Sequence, residues 1–240
     1  MSTVTAAMIM GAGLGTRMRP LTDDRPKPLV TVAGKSLIDH AIDRLAAAGV
    51  QRVVVNLHYK AEMLRRHLAG RQDVQIVFSD ETDTLLDTGG GVVKAMPLLG
   101  DAPFFVVNSD SIWIEHGAPA LPAMTAQWDE SRMDALLLLA DGATAIGYDG
   151  KGDFALRSDG RLVRARDQAG AAYGYLGVQI VHPRLFAGAP QGAFSTNLMW
   201  DRAIAGGRLW GTLLDGQWIH VGTPQARDEA EAALSALPAA

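Results

Sequence analysis

The segment Gly11–Arg19 is the first part of the chain whose residues could do chemistry, because it combines three alternating glycines with two arginines. Glycines let backbone N–H groups approach a phosphate chain closely, and the N-terminus of a following helix would favour its negative charge. Arg17 and Arg19 would add positive charge. The segment therefore predicts a polyphosphate-binding loop, with a purely structural tight turn as the alternative.

Two better-known glycine motifs fail here, each at one residue. The dinucleotide fingerprint needs glycine where this chain has Thr16, which disfavours an NAD site. A P-loop ending in Gly34-Lys35-Ser36 would need glycine where Leu29 stands. Gly34 is expected instead in a turn, and Ser36 at the N-cap of the next helix.

Lys27 lies between Pro26 and Pro28, shortly after the glycine-rich segment. The two prolines stiffen the backbone and favour an extended conformation at the lysine. A lysine held in this way can place its charge on a phosphate with little further loss of entropy. An ordinary surface loop is the alternative, but the position after the glycines favours a role in the same site.

Asp110 could hold a metal ion, since it follows the apolar run Phe104–Val107 and the polar pair Asn108-Ser109. Mg²⁺ keeps few protein ligands and also binds substrate phosphates. One carboxylate at a strand end beside a phosphate loop is therefore well placed for it. An aspartate that only closes a turn is the alternative.

The elements that must position these residues alternate between strands and helices. The predicted strands are Thr5–Met10, Arg52–Leu57, Val74–Phe78 and Phe104–Val107, and the predicted helices are Ser36–Ala48, Ala61–Leu68 and Gly90–Leu99. This order predicts an α/β fold, a three-layer αβα sandwich around a mostly parallel, Rossmann-like sheet. Ligands of such sheets bind beyond the carboxyl ends of the strands.

The second half of the chain is less regular. Its predicted strands are Asp134–Ala140 and Tyr175–Val181, and its predicted helices are Ser195–Ala205 and Gln225–Leu237. Residues 143–166 are rich in glycine and aspartate and predict short strands with turns. No linker divides the chain, so residues 1–240 are expected to form a single domain with a small substrate-facing insertion. The two halves of this domain would cover about 1–115 and about 116–240.

Composition narrows the partners and the compartment. The 240 residues carry a formal net charge of −4, which argues against broad nucleic-acid binding. No apolar run reaches the length of a membrane span, and the start lacks the pattern of a signal peptide. The chain has no cysteine, which excludes disulfides and thiol catalysis. We expect a cytoplasmic protein with small-molecule partners, as a monomer or small homo-oligomer.

Read together, Gly11–Leu29 resembles the opening of the sugar nucleotidyltransferases, with their pattern G-x-G-T-R-[ML]-x-P-L-T…P-K-P-[LM]. The resemblance continues through Val32–His40, Asp87–Gly91, Asn108–Asp110 and Gly152–Phe154 and ends near Trp218–Thr223, so it covers nearly the whole chain. It is strongest to the N-acetylmuramate-1-phosphate uridylyltransferase branch, which would imply a role in peptidoglycan recycling. Mannose-1-phosphate guanylyltransferases and glucose-1-phosphate thymidylyltransferases are the alternatives.

The resemblance implies that a sugar 1-phosphate attacks the α-phosphorus of a nucleoside triphosphate and releases pyrophosphate. Arg17 would stabilise the departing phosphates and Lys27 the α-phosphate, while Asp110 would hold Mg²⁺. The implied nucleotide-binding residues are Gly11, Ala12, Gly13, Gly15, Thr16, Arg17, Lys27, Gly89 and Asn108. The implied sugar-binding residues are Asp141, Gly152, Asp153, Tyr175 and Gly177, and a lactyl carboxylate on the sugar could meet Arg157, Arg164 or Arg166.

His220 departs from the family pattern, because similar enzymes have aspartate there as the second protein ligand of the metal. Histidine is a poor ligand for Mg²⁺ but a good one for Mn²⁺ or Zn²⁺. Three interpretations stay open: one protein ligand suffices, another divalent ion is used, or catalysis is impaired. The last would fit a non-catalytic nucleotide-sugar sensor, and a histidine with only a structural role is a further alternative.

Overall fold

The computed structural model describes residues 3–168 and 170–236. Its strands are β1 Ala6–Met10, β2 Thr31–Val32, β3 Lys35–Ser36, β4 Arg52–Leu57, β5 Gln75–Asp80, β6 Phe104–Asn108, β7 Ser111–Glu115, β8 Ala135–Asp141, β9 Phe154–Leu156, β10 Leu162–Arg164, β11 Tyr173–Val181, β12 Leu209–Leu213 and β13 Gly216–His220. Its α-helices are α1 Leu37–Ala47, α2 Ala61–Leu68, α3 Asp87–Leu99, α4 Ala120–Gln127, α5 Asn197–Ala205 and α6 Pro224–Ser235.

Helix α1 begins where its cap predicts. The hydroxyl of Ser36 accepts a hydrogen bond from the backbone N–H of Asp39 at 3.2 Å, which satisfies a donor of the first turn. Gly49, just beyond the helix, has a φ of 85°, a conformation that glycine adopts without strain. Gly34 lies in the turn between β2 and β3 with a φ of 74°. The predicted cap and turn are both confirmed.

The central sheet has the strand order β10-β9-β11-β6-β1-β4-β5, with β8 pairing with β11 and β12 pairing with β8. β1 is parallel to β4 and β6, and β4 is parallel to β5. Helices α1, α2 and α3 return the chain between these strands, as parallel pairing requires. The predicted α/β fold with a mostly parallel sheet is confirmed, although β11 lies antiparallel to β6 and β8.

Helices cover both faces of the sheet. Helices α1 and α2 pack with Ile9 and Val55 in one buried cluster, whereas α3 and α5 pack with Met8 and Val54 in another. Neighbouring residues of a strand point to opposite faces, so the two clusters share the same strands. This gives the predicted three layers.

A smaller two-stranded sheet begins directly after Asp110 and positions this residue. β7 pairs antiparallel with β13, and Ser111 lies opposite His220. The backbone N–H of Val221 donates to the carbonyl oxygen of Asp110 at 2.8 Å. Asp110 and His220 are far apart in the sequence, and this pairing brings them to the same corner of the molecule.

Helix α4 and strand β7 were not predicted. Helix α4 contains Pro122 and no charged residue, so it lacks the polar face by which a surface helix is recognised. The predicted C-terminal helix is present but ends at Ser235, and Leu237 lies outside the described residues.

Candidate functional site

A cavity of about 580 Å³ lies at the carboxyl ends of β1, β4 and β6, where parallel α/β sheets bind ligands. We call it the first cavity. It is lined by the phosphate loop, defined as Gly11–Arg17, together with Lys27, Asn108 and Asp110. The loop, the lysine and the aspartate that the sequence singled out therefore meet in one place.

Gly15 shapes the phosphate loop. Its φ is 65°, and a Cβ at this position would lie 3.0 Å from the Cβ of Lys27. Glycine is thus required both by the backbone conformation and by the close approach. The hydroxyl of Thr22 donates to the carbonyl oxygen of Gly15 at 2.9 Å and so anchors the loop at this residue.

The helix expected after the phosphate loop is only a single 3₁₀ turn, Thr16–Met18. The chain leaves this turn in an extended conformation at Arg19, because a residue before proline avoids the helical region. The prediction of a helix N-terminus behind the phosphates was therefore wrong. Positive charge comes instead from Arg17, which lines the cavity, is exposed, and forms no hydrogen bond or ion pair with other described residues.

Lys27 begins a second 3₁₀ turn, Lys27–Leu29, so the extended conformation predicted for it was also wrong. The backbone N–H of Leu29 closes the turn by donating to the carbonyl oxygen of Pro26 at 2.9 Å. The Nζ of Lys27 lies 2.6 Å from Oδ2 of Asp110, and the two side chains are only 13% and 17% exposed. The cavity thus contains a nearly buried ion pair.

Asp110 has the features of a ligand for a divalent ion. Burial is the largest single influence on this carboxyl and would raise its pKa. The charge of Lys27, the charge of His220 and the hydrogen bond from Lys27 together outweigh burial and hold the pKa below its usual value. Its other oxygen, Oδ1, is buried and has no hydrogen-bond partner among the described residues. No group of three or more His, Asp or Glu side chains in the described ranges could hold a metal. An ion at Asp110 would therefore take its other ligands from substrate and water, as Mg²⁺ commonly does.

His220 belongs to the same electrostatic environment. Burial lowers the pKa of its imidazole, and the charges of Lys27 and Arg17 act in the same direction against the opposing charge of Asp110. The ring is therefore neutral at neutral pH, which is the form that binds metals. His220 lies near enough to Asp110 for the two charges to influence each other, but Gly222 rather than His220 lines the first cavity.

Asn56 and Glu81 hold the start of the phosphate loop, and neither was singled out from the sequence. The side-chain oxygen of Asn56 accepts from the backbone N–H groups of Gly11 at 2.6 Å and Ala12 at 3.3 Å. Its amide nitrogen donates to Glu81 at 2.8 Å, and Glu81 also accepts from the N–H of Leu86 at 3.3 Å. The N–H groups of Gly11 and Ala12 are thus engaged by the protein, and the donors left for a ligand lie later in the loop.

A signal for this pair does exist in the sequence. Asn56 interrupts the apolar run of β4, and Glu81 directly follows β5, yet both are almost completely buried. Buried polar side chains next to a binding loop are there to satisfy backbone groups. The sequence does not reveal which backbone groups those are.

Replacing Asn56 with alanine is expected to destabilise the fold and loosen the phosphate loop. The change leaves two loop N–H groups and the Glu81 carboxylate without their partner, and each buried unsatisfied group costs about 1–3 kcal/mol. We expect the free energy of unfolding to fall by roughly 2–4 kcal/mol and the KM for nucleotide to rise. Denaturant unfolding and steady-state kinetics measure the two effects.

Gln75→Ala is the matched control, because Gln75 pairs with Arg52 at the opposite end of the same two strands and is exposed. Its effect on stability should stay within about 0.5 kcal/mol. Equal effects of the two substitutions would contradict the role assigned to Asn56.

A second cavity, of about 260 Å³, adjoins the first and shares four lining residues with it, namely Met10, Asp87, Thr88 and Asn108. Asp153 and Tyr175, both predicted to face the sugar, line this second cavity. The backbone N–H of Tyr175 donates to the carboxylate of Asp153 at 2.9 Å, and the Tyr175 ring packs edge-on against Trp200 at 4.9 Å. These contacts fix both side chains in place.

Two other residues predicted to face the sugar do not line either cavity. Asp141 is exposed at the end of β8, where its carboxylate accepts from the backbone N–H of Ala143 at 2.9 Å. Gly152 has a φ of 91° and donates its N–H to the hydroxyl of Tyr148 at 3.1 Å. Both residues shape turns at the end of the sheet. Their positions therefore favour a structural role over a direct contact with the sugar.

Gly177 and Gly89 also lie behind the cavities. Gly177 has a φ of 90°, and a Cβ there would lie 2.8 Å from the Cβ of Asn108, so this glycine lets β11 pack closely behind Asn108. Gly89 packs against the ring of Phe194 and donates its N–H to the carbonyl oxygen of that residue at 2.8 Å. The N–H that would contact a base is therefore occupied. Thr88, one residue earlier, lines both cavities.

Comparison with known proteins shows the family to which the chain belongs. The model of the nucleotidyl transferase family matches residues 6–148, which include the phosphate loop, Lys27 and Asp110. The chain belongs to this family. The family match covers more than half of the chain and includes the charged residues Arg17, Lys27 and Asp110 of the first cavity.

Two relatives extend the similarity to almost the full length. The chain is 50% identical over 234 residues to N-acetylmuramate alpha-1-phosphate uridylyltransferase of Caulobacter vibrioides, covering 95% of this chain and 96% of the relative. It is 35% identical over 233 residues to the enzyme of the same name from Neisseria meningitidis serogroup B, covering 96% and 98%.

Among solved structures, the fold is similar to that of a glucose-1-phosphate thymidylyltransferase from Bacillus anthracis, described as putative and in complex with sucrose. The TM-score is 0.80 at 16% identity, over 98% of this chain and 97% of the other. At this identity the match supports the fold alone. No helix among the described residues is long and apolar enough to cross a membrane.

Proposed function

We propose that this protein transfers a uridylyl group from UTP to N-acetylmuramate 1-phosphate and releases pyrophosphate. The observation that carries the proposal is the similarity, over nearly the entire chain, to two enzymes named for this reaction. The two adjoining cavities support it, because a nucleotide and a sugar phosphate must lie side by side for the transfer. Mannose-1-phosphate guanylyltransferase and glucose-1-phosphate thymidylyltransferase activities are the alternatives within the family.

The reaction is an in-line displacement at the α-phosphorus, in which a phosphate oxygen of the sugar forms the new bond and pyrophosphate leaves. The attacking phosphate is already ionised, so no general base is needed, and catalysis rests on positioning and charge. Arg17, free of protein partners in the described residues, stabilises the departing phosphates. Lys27 stabilises the α-phosphate and orients the sugar phosphate.

Asp110 is the proposed ligand for Mg²⁺, with Mn²⁺ or another divalent ion as the alternative. Its ionised carboxylate and its unpartnered Oδ1 suit a hard cation. When bound, the ion would neutralise charge on the reacting phosphates. His220 is the second candidate ligand, and its imidazole favours Mn²⁺ over Mg²⁺.

The remaining parts of the proposal concern substrate contacts and setting. Gly13, Gly15, Thr16 and Asn108 contact the nucleotide from the first cavity, while Asp153 and Tyr175 contact the sugar from the second. One domain divides into a nucleotide half of about 1–115 and a sugar half of about 116–240. We further propose that the protein is cytoplasmic, is a monomer or a small homo-oligomer, and serves peptidoglycan recycling.

Pyrophosphate release tests the proposal directly. The purified protein is assayed with UTP, TTP, GTP and CTP against the 1-phosphates of N-acetylmuramate, N-acetylglucosamine, mannose and glucose, with Mg²⁺ and with Mn²⁺. We expect the highest kcat/KM for UTP with N-acetylmuramate 1-phosphate. Tight UTP binding without turnover of any pair would support a non-catalytic sensor, which His220 alone favours.

His220→Asp is expected to change the metal preference. Replacing imidazole by a carboxylate should lower the ratio of turnover with Mn²⁺ to turnover with Mg²⁺, because carboxylates suit Mg²⁺ and imidazole suits softer ions. Metal titrations of both proteins under saturating substrates measure this ratio. His116→Asp, a change at an exposed histidine outside both cavities, is the control. An unchanged ratio in His220→Asp would exclude His220 as a ligand.

A further inference from the structure

Arg164 is the only cationic side chain that lines the second cavity among the described residues. We infer that Arg164 binds the lactyl carboxylate of N-acetylmuramate 1-phosphate and so makes the enzyme select this sugar over sugars without the lactyl group. The inference rests on the proposed function and adds the residue that decides the sugar.

The structure separates three arginines that the sequence left equivalent. Arg157 and Arg166 are exposed, and neither lines the second cavity. The side chain of Arg164 is only 12% exposed. Its guanidinium lies over the ring of Phe154 at 4.8 Å and near the ring of Trp200 at 5.8 Å. Only Arg164 is therefore both held in place and facing the cavity.

The hydrogen-bonding capacity of Arg164 is only partly used. Its Nε donates to the carboxylate of Asp201 at 2.7 Å, and its Nη2 donates to the carbonyl oxygen of Asn197 at 3.2 Å. A guanidinium has five N–H donors, so the remaining ones have no partner among the described residues. Asp201 is half exposed and engages the guanidinium through one nitrogen only, rather than as a bidentate fork. A second carboxylate can therefore still be bound.

The charge of the cavity makes a cation necessary for an anionic sugar. Asp87 and Asp153 both line the second cavity and would repel a carboxylate on the sugar ring. A neutral sugar needs no compensating charge there. Arg164 supplies that charge, and it is held by two aromatic rings and two hydrogen bonds, so little entropy is lost when it binds.

The position of the cavity fits the length of the substrate. Because the two cavities share Asp87, Thr88 and Asn108, a sugar in the second cavity can extend its phosphate towards Lys27 in the first. The lactyl group and the phosphate are carried by different carbons of the sugar ring. The two cavities therefore provide a separate cation for each anionic group, Lys27 for the phosphate and Arg164 for the lactyl carboxylate.

Arg164→Met tests the inference, since methionine keeps an apolar stem against the two rings and removes the charge. The readout is the ratio of kcat/KM for N-acetylmuramate 1-phosphate to kcat/KM for N-acetylglucosamine 1-phosphate, which lacks only the lactyl group. A lost charged hydrogen bond is worth a factor of about ten to a hundred, and we expect the ratio to fall by that factor. An unchanged ratio would overturn the inference, even if both rates fell together.

Three further variants make the result specific. Arg166→Met removes an exposed arginine from the same segment and should leave the ratio as in the wild type. Asp201→Asn keeps Arg164 but removes its ion pair, so the ratio should be retained or rise. If Asp201→Asn instead lowered the ratio as much as Arg164→Met does, the ratio would depend on the ion pair with Asp201 rather than on a free guanidinium. That result would overturn the inference. Arg164→Lys, which keeps a point charge, should recover part of the ratio, and it replaces Arg164→Met if that variant does not fold.

The wild-type measurements separate the two claims. If the wild type does not turn over N-acetylmuramate 1-phosphate with any nucleotide, the proposed function fails. If the wild type prefers this sugar and Arg164→Met keeps the preference, the proposed function stands and only the role of Arg164 fails.

Discussion

Replacing Lys27 with methionine should lower turnover by about 10²–10³, the usual effect of removing one preorganised charge donor at a reacting phosphate or oxyanion. The Nζ of Lys27 is nearly buried against Asp110 in the first cavity, where its charge is poorly screened by water. Methionine fills a similar volume, so the change removes charge more than packing. Steady-state pyrophosphate release gives kcat and the KM for each substrate.

The matched control is Lys35→Met, because Lys35 also lies 2.6 Å from an aspartate, Asp43, but this pair is 47% and 40% exposed. Exposed pairs contribute little, so the control should keep wild-type turnover. Arg17→Ala is expected to lower turnover by about the same factor as Lys27→Met. Near-normal turnover in both Arg17→Ala and Lys27→Met would rule out the proposed cationic site.

Replacing Asp110 with asparagine should reduce turnover by about 10³ or more, because a metal that neutralises phosphate charge contributes several kcal/mol to the transition state. Asparagine has nearly the same shape but no charge, and it binds a divalent ion more weakly. We expect a loss that additional Mg²⁺ or Mn²⁺ restores only in part. The measurement is turnover as a function of metal concentration for both proteins.

Asp43→Asn provides the control for Asp110→Asn, since it removes the carboxylate of the exposed pair with Lys35. It should leave the metal dependence unchanged. Thermal unfolding of each variant separates a loss of fold from a loss of metal binding. A folded Asp110→Asn protein with wild-type metal dependence would show that the ion is held elsewhere.

Local sequence patterns were sufficient for most of the nucleotide half. The alternation of buried strands and amphipathic helices indicated the parallel strands and α1–α3, and β4 and α2 were predicted with their observed bounds, Arg52–Leu57 and Ala61–Leu68. These features follow from the spacing of apolar residues, which is a local property. The phosphate loop, Lys27 and Asp110 could be found in the same way, because each follows a strand or carries a recognisable turn residue.

Patterns failed where a residue's environment comes from distant parts of the chain. Asn56 interrupts the apolar run of β4 and Glu81 follows β5, but only the fold brings these two side chains beneath the phosphate loop. Gly89 and Gly177 read as binding glycines, but each is needed because another segment packs against it. The conformations of Lys27 and of Thr16–Met18 were also mispredicted, since each lies in a single 3₁₀ turn rather than in an extended or α-helical segment.

By itself, the sequence determined the fold class, the phosphate loop and the charged residues that could serve it, because these depend on residue types at short spacing. Only the tertiary structure decided which of them meet. It paired Lys27 with Asp110, brought His220 to the same corner through the pairing of β7 with β13, and placed Arg164, but neither Arg157 nor Arg166, in the lining of the second cavity. Such contacts join residues far apart in the chain, and they depend on strand order and on the antiparallel placement of β11.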